Sequence, residues 1–544
     1  MSITSPTAQV NVNNVSGHYM GHRNSLTAKC GTLVPILTEE VCPNTRCHLK
    51  TSFSVKLPPL ASETFANIDY RIEAFFVPHR LLVNGFDRIV AGQNRLSSGS
   101  GFGSTPNYLP VLKINPVNAS AQTLYNDKFA AGTLADYLGF KLGSKGFELN
   151  VDVTLSALPF LAYHKIYDFW YRNKLVQVPL FQPVTNPSSK ILFSTGFTFN
   201  GSNYIVSNPG LASGNAYDGS NIFDLHQRNF DADYFTTATL SPQLGSANSV
   251  SISVAENVGS MSIASLRAAN SLQQFAERNN LCGVDDVNYY KAMFGARLDY
   301  GVAQHPVCLG SCSVPIYVNG VFQNGENSSV GNNPFMTVAT QYGSANSAST
   351  EVIIKDFNAQ EFGYIMVLGS LVPRVSYSTG IRKYLEHHRS ANNYIGDDFC
   401  NPILQNVGPQ PVYQHEFNGY PSSFMSPVVF GYQQRYAEWI THPDEVHGEF
   451  VDGKSLDSFV LQRSFDSSVT LSSDFLEIPA NYLDQIFAAS SQLYGGFSYW
   501  VDMLHSWKIS SPIADFVLPS LQDPAYEHGH SVTIQKNGQP PINK

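Results

Sequence analysis

Strict alternation of side-chain types in HLKTSFSVKL (His48–Leu57) is the feature that most constrains how this chain can fold. One side takes Leu49, Thr51, Phe53, Val55 and Leu57, and the other takes Lys50, Ser52, Ser54 and Lys56. Successive side chains of a strand point to opposite faces of its sheet, so a period of two predicts a β-strand with one buried face. The prolines Pro58 and Pro59 end this predicted strand.

Two further segments predict strands that are more deeply buried. DYRIEAFFV (Asp69–Val77) loses its polar face where Phe75, Phe76 and Val77 follow one another, and EFGYIMVLGSLVP (Glu361–Pro373) is almost continuously apolar. Strands of this kind are typically covered on both faces. Many short strands, long Ser-, Asn- and Gly-rich loops and few helices predict a mainly β protein, a sandwich or jelly roll with insertions.

Three segments predict helices within this β pattern. LPFLAYHKIYDFWYRN (Leu158–Asn173) is aromatic and amphipathic, and Pro159 suits a first helical turn. Met261–Asn280 keeps one apolar side with helical spacing, and Asp285–Gly295 begins with acidic residues and ends at a glycine.

The low charge of the chain indicates extensive subunit contacts. Only 14% of the residues are charged and 12% are aromatic, whereas soluble domains are typically about 25% charged. Buried interfaces are depleted in charge and enriched in aromatic residues. The net charge of −9 argues against a surface that binds a polyanion everywhere, and it leaves room for a local basic patch.

The cysteines and the N-terminus predict a protein made in a reducing compartment. An odd number of cysteines, widely spaced, does not form a secreted disulfide framework, so free and mostly buried thiols are expected. These are Cys30, Cys42, Cys47, Cys282, Cys308, Cys312 and Cys400. The polar start has no signal-peptide core, and the apolar run Tyr364–Val372 is too short to span a bilayer.

No catalytic motif has convincing spacing, and two groups of possible metal ligands remain weak candidates. Cys308 and Cys312, with His305 nearby, could supply part of a zinc site, but buried structural cysteines are favoured. The segment THPDEVHGEFVD offers further ligands: His442, Asp444, Glu445, His447 and Glu449. They could hold a divalent ion, although a solvated polar loop is the favoured interpretation. We therefore expect no cofactor and no metal.

Several blocks together resemble the major capsid proteins of the Microviridae, especially the gokushovirus group. The blocks, colinear from Lys29 to Pro519, are FFVPHRLLVNGFDRIVAGQ, LPFLAYHKIYDFWYRN, DADYFTTATLSPQ, LRAANSLQQFAERN with YYKAMFG, LVPRVSYSTGI and FGYQQRYAEW. His79 stands where the family has asparagine, and Val83 and Phe86 replace tryptophans. Little chain separates DADYFTTATLSPQ from the helix at Met261, so a family protrusion would be short or built from residues 183–229 or 318–350.

The resemblance implies a viral eight-stranded jelly roll with long loop and helical insertions. It implies a flexible N-terminal arm over residues 1–30 and one capsid domain over residues 31–544. Within that domain, residues 94–260 and 310–350 would be loop-rich and residues 261–295 helical. The function implied is the T=1 icosahedral shell, a homo-oligomer, of a small bacteriophage with circular single-stranded DNA. A separate small basic protein would neutralise most of the DNA charge, and the host receptor is left open.

Basic residues interleaved with aromatic ones are possible nucleic-acid or intersubunit contacts: Arg80, Arg88, Arg172 and Lys174. The resemblance selects further residues. Structural motif residues are Phe75, Phe76, Pro78, Leu158, Pro159, Tyr163, Trp170, Tyr234, Phe235, Arg278, Pro373, Gly431 and Trp439. We expect a non-enzymatic virion protein, assembled in the bacterial cytoplasm without a membrane. The alternatives are a carbohydrate-binding or carbohydrate-active jelly roll, which needs converging carboxylates, and a minor spike protein.

Overall fold

The structure is a computed structural model of the 544-residue chain. The residues that it describes are 16–62, 64–83, 86, 90, 111–114, 129–140, 153–182, 193–194, 222–240, 267, 271, 290–291, 294–295, 304–324, 340–387, 410–419, 428–434, 437–465, 467–488, 491 and 495–512.

Strands dominate these residues, and the helices are short. The strands are β1 (Ser16–Tyr19), β2 (His22–Ala28), β3 (Val34–Val41), β4 (Thr45–Lys56), β5 (Ile68–Pro78), β6 (Val111–Ile114), β7 (Val153–Ser156), β8 (Phe181–Gln182), β9 (Phe193–Ser194), β10 (Val307–Pro315), β11 (Tyr317–Asn324), β12 (Thr340–Ala359), β13 (Gly363–Pro373), β14 (Gln410–Tyr413), β15 (Val429–Gln433) and β16 (Tyr499–Ser511). The α-helices are α1 (Leu134–Tyr137), α2 (Leu158–Ile166), α3 (Lys383–His387), α4 (Ala437–Ile440) and α5 (Ser473–Leu476). The predicted mainly β class is confirmed.

Two antiparallel sheets form the centre of the fold. The larger sheet has the order β1-β16-β4-β12-β11, with β2 also paired to β16, and the smaller sheet has the order β10-β5-β13-β3. One hydrophobic core contains side chains of both sheets, including Leu49 and Trp507 from the larger and Ile72 and Val367 from the smaller. This arrangement is consistent with a β-sandwich.

β4 has the alternation that its sequence predicts. Leu49, Phe53 and Val55 are buried in the core between the sheets, while Lys50 and Lys56 are exposed on the opposite face. The prediction of a half-buried strand is therefore confirmed.

The smaller sheet is buried on both faces, which explains the apolar run of β13. Every residue of β13 is buried. Ile365 and Val367 belong to the core between the sheets, whereas Met366 and Leu368 belong to a second core on the other face. The second core includes side chains of α1 and α2, so a helical layer covers the smaller sheet from outside.

The segment that begins at Leu158 is helical, but it is not amphipathic. α2 continues into a π-helical segment, Tyr167–Tyr171. All residues of α2 except Lys165 are buried, because its inner side contacts the smaller sheet and its outer side is covered by residues such as Ile222 and Phe223. The predicted solvent-facing side of this helix was therefore wrong.

Part of the predicted N-terminal arm, from residue 16 onwards, pairs with the larger sheet. β1 and β2 both pair with β16, and Arg23 forms a bidentate ion pair with Asp502 at 2.6 and 2.8 Å. Backbone pairing accounts for the order of a segment whose polar composition suggested a free arm. Residues 1–15 lie outside the described residues.

The helix predicted over Met261–Asn280 lies almost wholly outside the described residues. Arg267 and Ser271 are described, and both are helical. Tyr290, Lys291 and Phe294 of the next predicted helix are also helical. None of the helices in the described part has the length and apolar character needed to cross a membrane.

The burial of β5 generates a stability prediction. Phe76 is fully buried, and its ring centroid lies 5.1 Å from that of Phe357. We expect Phe76→Ala to lower the free energy of unfolding of the isolated subunit by about 3–5 kcal/mol, because it leaves a cavity in the core. Phe65, which is 69% exposed, provides the matched control: Phe65→Ala is expected to cost less than about 1 kcal/mol. Equal losses in urea unfolding would contradict the assigned core.

Candidate functional site

The chain leaves β5 at a tightly packed corner. Pro78 ends the strand, and a single 3-10 turn, His79–Leu81, follows. The buried His79 lies 2.9 Å from Glu40 through its Nε2 atom, and its ring contacts those of Tyr364 and Phe86. These contacts make His79 a structural residue of the corner.

Arg80, a predicted nucleic-acid or intersubunit contact, forms an ion pair inside the chain. Its Nε atom donates to Glu361 at 2.9 Å, and both side chains are about one quarter exposed. The ion pair joins the end of β5 to the start of β13. An additional contact of Arg80 with DNA or another subunit stays a prediction.

The other predicted basic contacts lie next to the π segment or outside the described residues. Arg172 is almost buried, pairs with Asp168 at 2.8 Å and donates to the carbonyl of Gln177. The Nζ atom of Lys174 lies 4.2 Å from the centre of the Phe169 ring. Both basic groups therefore contact their own subunit, and Arg88 lies outside the described residues.

Several of the described motif residues support the packing of the helical layer on the smaller sheet. Phe75 lies against Trp170, whose indole N–H donates to the carbonyl of Pro306 at 2.9 Å. Tyr163 is fully buried and donates to the carbonyl of Leu33 at 2.9 Å. The buried motif residues also include Phe76, Pro78, Leu158, Pro159, Tyr234, Phe235, Pro373 and Gly431. Arg278 lies outside the described residues.

Gly431 occupies a position where a side chain has little room. A Cβ atom there would lie 3.0 Å from the Cβ of Ala238 and 3.1 Å from the carbonyl oxygen of Thr239. β15, which lies in the FGYQQRYAEW block, therefore approaches the DADYFTTATLSPQ block closely. Both blocks contribute to one aromatic core, which includes Phe235 and Phe417. These two motifs are thus neighbours in space.

The buried His164 and the half-buried His226 hold residues 222–226 against α2. The Nε2 atom of His164 lies 2.8 Å from the carbonyl of Ile222, and its Nδ1 atom lies 2.7 Å from Nε2 of His226. A carbonyl only accepts, so His164 carries its proton on Nε2 and its Nδ1 accepts from His226. Burial lowers the pKa of His164 to about 4. Burial, and then the neighbouring His164, lower the pKa of His226 far below its usual range.

A second polar group in the same region involves Glu73 on β5. Arg228 donates to Glu73 at 2.7 Å and to Ser370 at 3.2 Å, and the Tyr171 hydroxyl also donates to Glu73. Burial and the adjacent Glu73 carboxylate raise the pKa of Tyr171 well above its ordinary value. These contacts link the π segment to both inner strands of the smaller sheet.

The acidic histidine cluster, a weak metal candidate, engages arginines in this structure. Asp444 pairs with Arg374 at 2.9 Å, while Glu445 pairs with Arg382. The Arg382 guanidinium lowers the pKa of Glu445. Within the described ranges, no three His, Cys, Asp or Glu side chains come together in a way that could hold a metal ion.

The two cysteines of the possible zinc site also lie apart from each other. Cys308 and Cys312 lie on β10, where four residues span about 13 Å at the usual strand rise. The described cysteines are free thiols, and Cys30 and Cys47 are buried as expected, whereas Cys308 is exposed. Cys282 and Cys400 lie outside the described residues.

An exposed apolar group forms the best candidate for a contact surface. Ile381, Leu385, Trp439 and Ile440, here called the apolar rim, are 41%, 60%, 55% and 68% exposed. Ile381 and Leu385 line a pocket of about 480 Å³. Its lining also includes Glu438 and Thr441, the neighbours in sequence of Trp439 and Ile440. Exposed apolar patches of this kind mark interaction sites.

A buried ion pair lies in the same pocket. Lys383 and Glu416 are both nearly inaccessible, and their charged atoms lie 3.9 Å apart. Lys383 also donates to the carbonyl of Pro411. Burial raises the pKa of Glu416, and the Lys383 ammonium partly offsets this increase.

Of the residues of the apolar rim, only Trp439 was selected from the sequence. Ile381 ends a recognised block, and Leu385 has no sequence signal because exposure depends on tertiary packing.

Comparisons with known proteins identify the family of this chain. The family described as "Capsid protein (F protein)" matches residues 8–259 and 255–514. The chain is similar to "Capsid protein VP1" of Chlamydia phage 1, with 23% identity over 92% of this chain and 94% of that protein. It is also similar to "Capsid protein VP1" of Bdellovibrio phage phiMH2K, with 23% identity over 83% and 85%. The resemblance to Microviridae capsid proteins is confirmed.

The buried histidine pair generates a pH prediction. The unfolded chain protonates these imidazoles below about pH 6.5, whereas the folded chain keeps His164 neutral down to about pH 4. Protons therefore bind preferentially to the unfolded chain in this window, and the free energy of unfolding falls as the pH decreases from 6.5 to 4. For His164 alone the loss is on the order of 3 kcal/mol.

Urea unfolding at a series of pH values measures this loss. Replacing both histidines by Gln should reduce the pH dependence within the window, and His505, whose pKa burial also lowers to about 4, should account for the remainder. His447→Gln, at a side chain that is 82% exposed, should leave the dependence as it is. A double variant with the wild-type slope would show that the pair does not titrate as described.

Proposed function

We propose the following role for this chain, which belongs to the capsid protein (F protein) family and is a major capsid protein of a small phage. Copies of the chain assemble into an icosahedral T=1 shell that encloses a circular single-stranded DNA genome. The observation that carries this proposal is the family match, which extends from residue 8 to residue 514.

The proposed subunit fold is an eight-stranded jelly roll. Its support is the connectivity of the two sheets, in which β3 pairs with β13 rather than with the adjacent β4 or β5. In the larger sheet, β4 likewise pairs with the distant β12. A strand late in the chain that returns beside the first one is the mark of Greek-key winding, from which jelly rolls are built.

The domain organisation follows from the same winding. Residues 31–544 would form one capsid domain, with insertions at residues 94–260, 261–295 and 310–350. The first two fall between β5 and β10, two neighbours in the smaller sheet, so the pairing of these two strands does not depend on the length of the insertions. Residues 1–30 would form the N-terminal arm, of which β1 and β2 lie along the larger sheet.

Assembly would bury the apolar rim against a second copy of this chain. Trp439 and Ile440 expose more than half of their surfaces in the single chain. Their burial would remove apolar area from water at roughly 25 cal/mol per Å². Fully desolvated aromatic anchors contribute strongly to protein interfaces, and a chain whose charged fraction is only 14% has an apolar surface suited to many such contacts.

This role requires no catalysis. Asp444 and Glu445, two carboxylates of the acidic histidine cluster, are engaged by Arg374 and Arg382. A carbohydrate-active jelly roll would need two carboxylates free to act on a sugar, so the structural role in the virion is favoured. The copy number of the chain in purified particles would distinguish a major capsid protein from a minor spike.

The remaining partners follow from charge. With a net charge of −9, the shell cannot neutralise the genome by itself, and a small basic viral protein would supply most of the positive charge. Assembly would take place in the cytoplasm of the bacterial host. The packaged DNA would contact the shell locally, and the particle would bind a receptor on the host surface.

The apolar rim provides the test of assembly. Ile440→Asp places a charge where a second copy would exclude water, and we expect it to abolish shells while leaving a folded subunit. Ile440→Leu preserves the apolar surface and should assemble normally. Electron microscopy and sedimentation velocity measure both outcomes. Normal shells from the Asp variant would show that this rim is not an intersubunit contact.

A further inference from the structure

The outward face of the six-stranded sheet carries a row of basic side chains along one strand. On β4, the residues that point away from the core include Arg46, Lys50 and Lys56, all exposed, with Ser52 and Ser54 between the lysines. Arg46 and Lys56 are ten residues apart, or about 33 Å along an extended strand. The row therefore extends along most of the length of β4.

The neighbouring strand extends this basic face. In the register of β16 with β4, Lys508 lies opposite His48 and Ser510 lies opposite Arg46. In the register with β1, Tyr19 lies opposite Lys508, and it is 64% exposed. Side chains that lie directly opposite one another share a face of the sheet, so Lys508 and Tyr19 join the row. We call this set, Arg46, Lys50, Lys56, Lys508 and Tyr19, the basic stripe.

Basic side chains outnumber acidic ones along the basic stripe. The outward residues of β4 and β16 include one acid, Asp502, which Arg23 neutralises through two hydrogen bonds. Asp356 is exposed on the neighbouring β12, and Glu39 and Asp136 line the adjoining groove. Within the described ranges, Arg46, Lys50 and Lys508 take part in no ion pair. A chain with a net charge of −9 thus has a locally cationic face, and such a face attracts polyanions.

A groove borders the basic stripe on the side of Lys56. Its volume is about 920 Å³, and its lining includes Lys56, Trp500, Tyr137 and Ser54. Trp500 lies opposite Lys56 in the register of β16 with β4 and is half-buried. Indole and phenol rings beside a cation are the groups on which the bases of single strands stack.

We propose that this face binds the packaged single-stranded DNA, with backbone phosphates along the basic stripe and a base in the groove beside Trp500. The inference rests on the proposed function, because it takes the enclosed genome as the partner. The serine hydroxyls of β4 and β16 supply further donors for phosphate oxygens. Stacking and phosphate contacts of this kind do not depend on base sequence, which suits a container for a whole genome.

A second copy of this chain is the competing occupant of the face. Two copies related by a twofold axis would bring the lysines and arginines of one face against those of the other, and like charges repel across an interface. The apolar rim, by contrast, has the composition of a subunit contact. Charge complementarity therefore favours nucleic acid on the basic stripe.

The salt dependence of binding tests the proposal on the unassembled subunit. Binding of a labelled oligothymidylate is measured by fluorescence anisotropy at several salt concentrations. Each phosphate contact contributes a slope of about −0.7 to the logarithm of the affinity against the logarithm of the salt concentration. The double variant Lys50→Gln, Lys508→Gln should therefore reduce the slope by about 1.4.

A control variant of equal charge change separates a local contact from net charge. Lys291 and Lys454 are exposed and lie outside the six-stranded sheet, and their double replacement by Gln should leave the slope near the wild-type value. An unchanged slope in the Lys50, Lys508 variant, or equal reductions in both variants, would overturn the proposal.

Stacking and assembly provide two further measurements. Trp500→Ala should weaken oligothymidylate binding by roughly tenfold, the usual scale for one stacked base, while Trp500→Phe should retain most of the affinity. Electron microscopy of the same preparations separates a failure of this inference from a failure of the proposed function. If shells form normally but the substitutions in the basic stripe leave DNA binding unchanged, this inference alone is refuted. A wild-type protein that never forms shells would refute the proposed function.

Discussion

The burial of the four-stranded sheet on both of its faces is the constraint on which the rest of the structure depends. One face needs the six-stranded sheet and the other needs the helical layer, because alternate residues of β13 enter two different cores. Neither partner is optional, since an apolar strand exposed to water would lose the burial that stabilises it. The subunit is therefore a layered unit in which each layer supports the next.

Polar groups fix how the outer layer is placed on this apolar centre. Tyr163, His164 and His226 form a continuous hydrogen-bonded path from α2 to residues 222–226, and Glu73 receives Arg228 and Tyr171 close by. Buried polar groups are costly unless they are satisfied, so they permit few alternative arrangements. A capsid subunit that must fit many identical neighbours benefits from a helical layer in one defined position.

Sequence reasoning predicted what local pattern determines. The alternation in β4 and the apolar run of β13 gave two strands and their burial, and the colinear motifs gave the family. It missed what depends on distant partners: residues 16–28 looked like a free arm because β16 lies almost 500 positions later, and α2 looked amphipathic because its second cover was not visible. The basic stripe was not predicted for the same reason. The sequence pattern identified its residues on β4 only as the polar side of a strand. Lys508 joins them only because β16 pairs with β4 in the sheet.

The pairing of β1 and β2 with β16 has a consequence for synthesis. Strands near residue 20 find their place only when residues near 505 have left the ribosome, and β4 likewise gains β16 as a neighbour only then. Contacts so distant in sequence form slowly. A nascent chain thus cannot finish its larger sheet until translation is nearly complete.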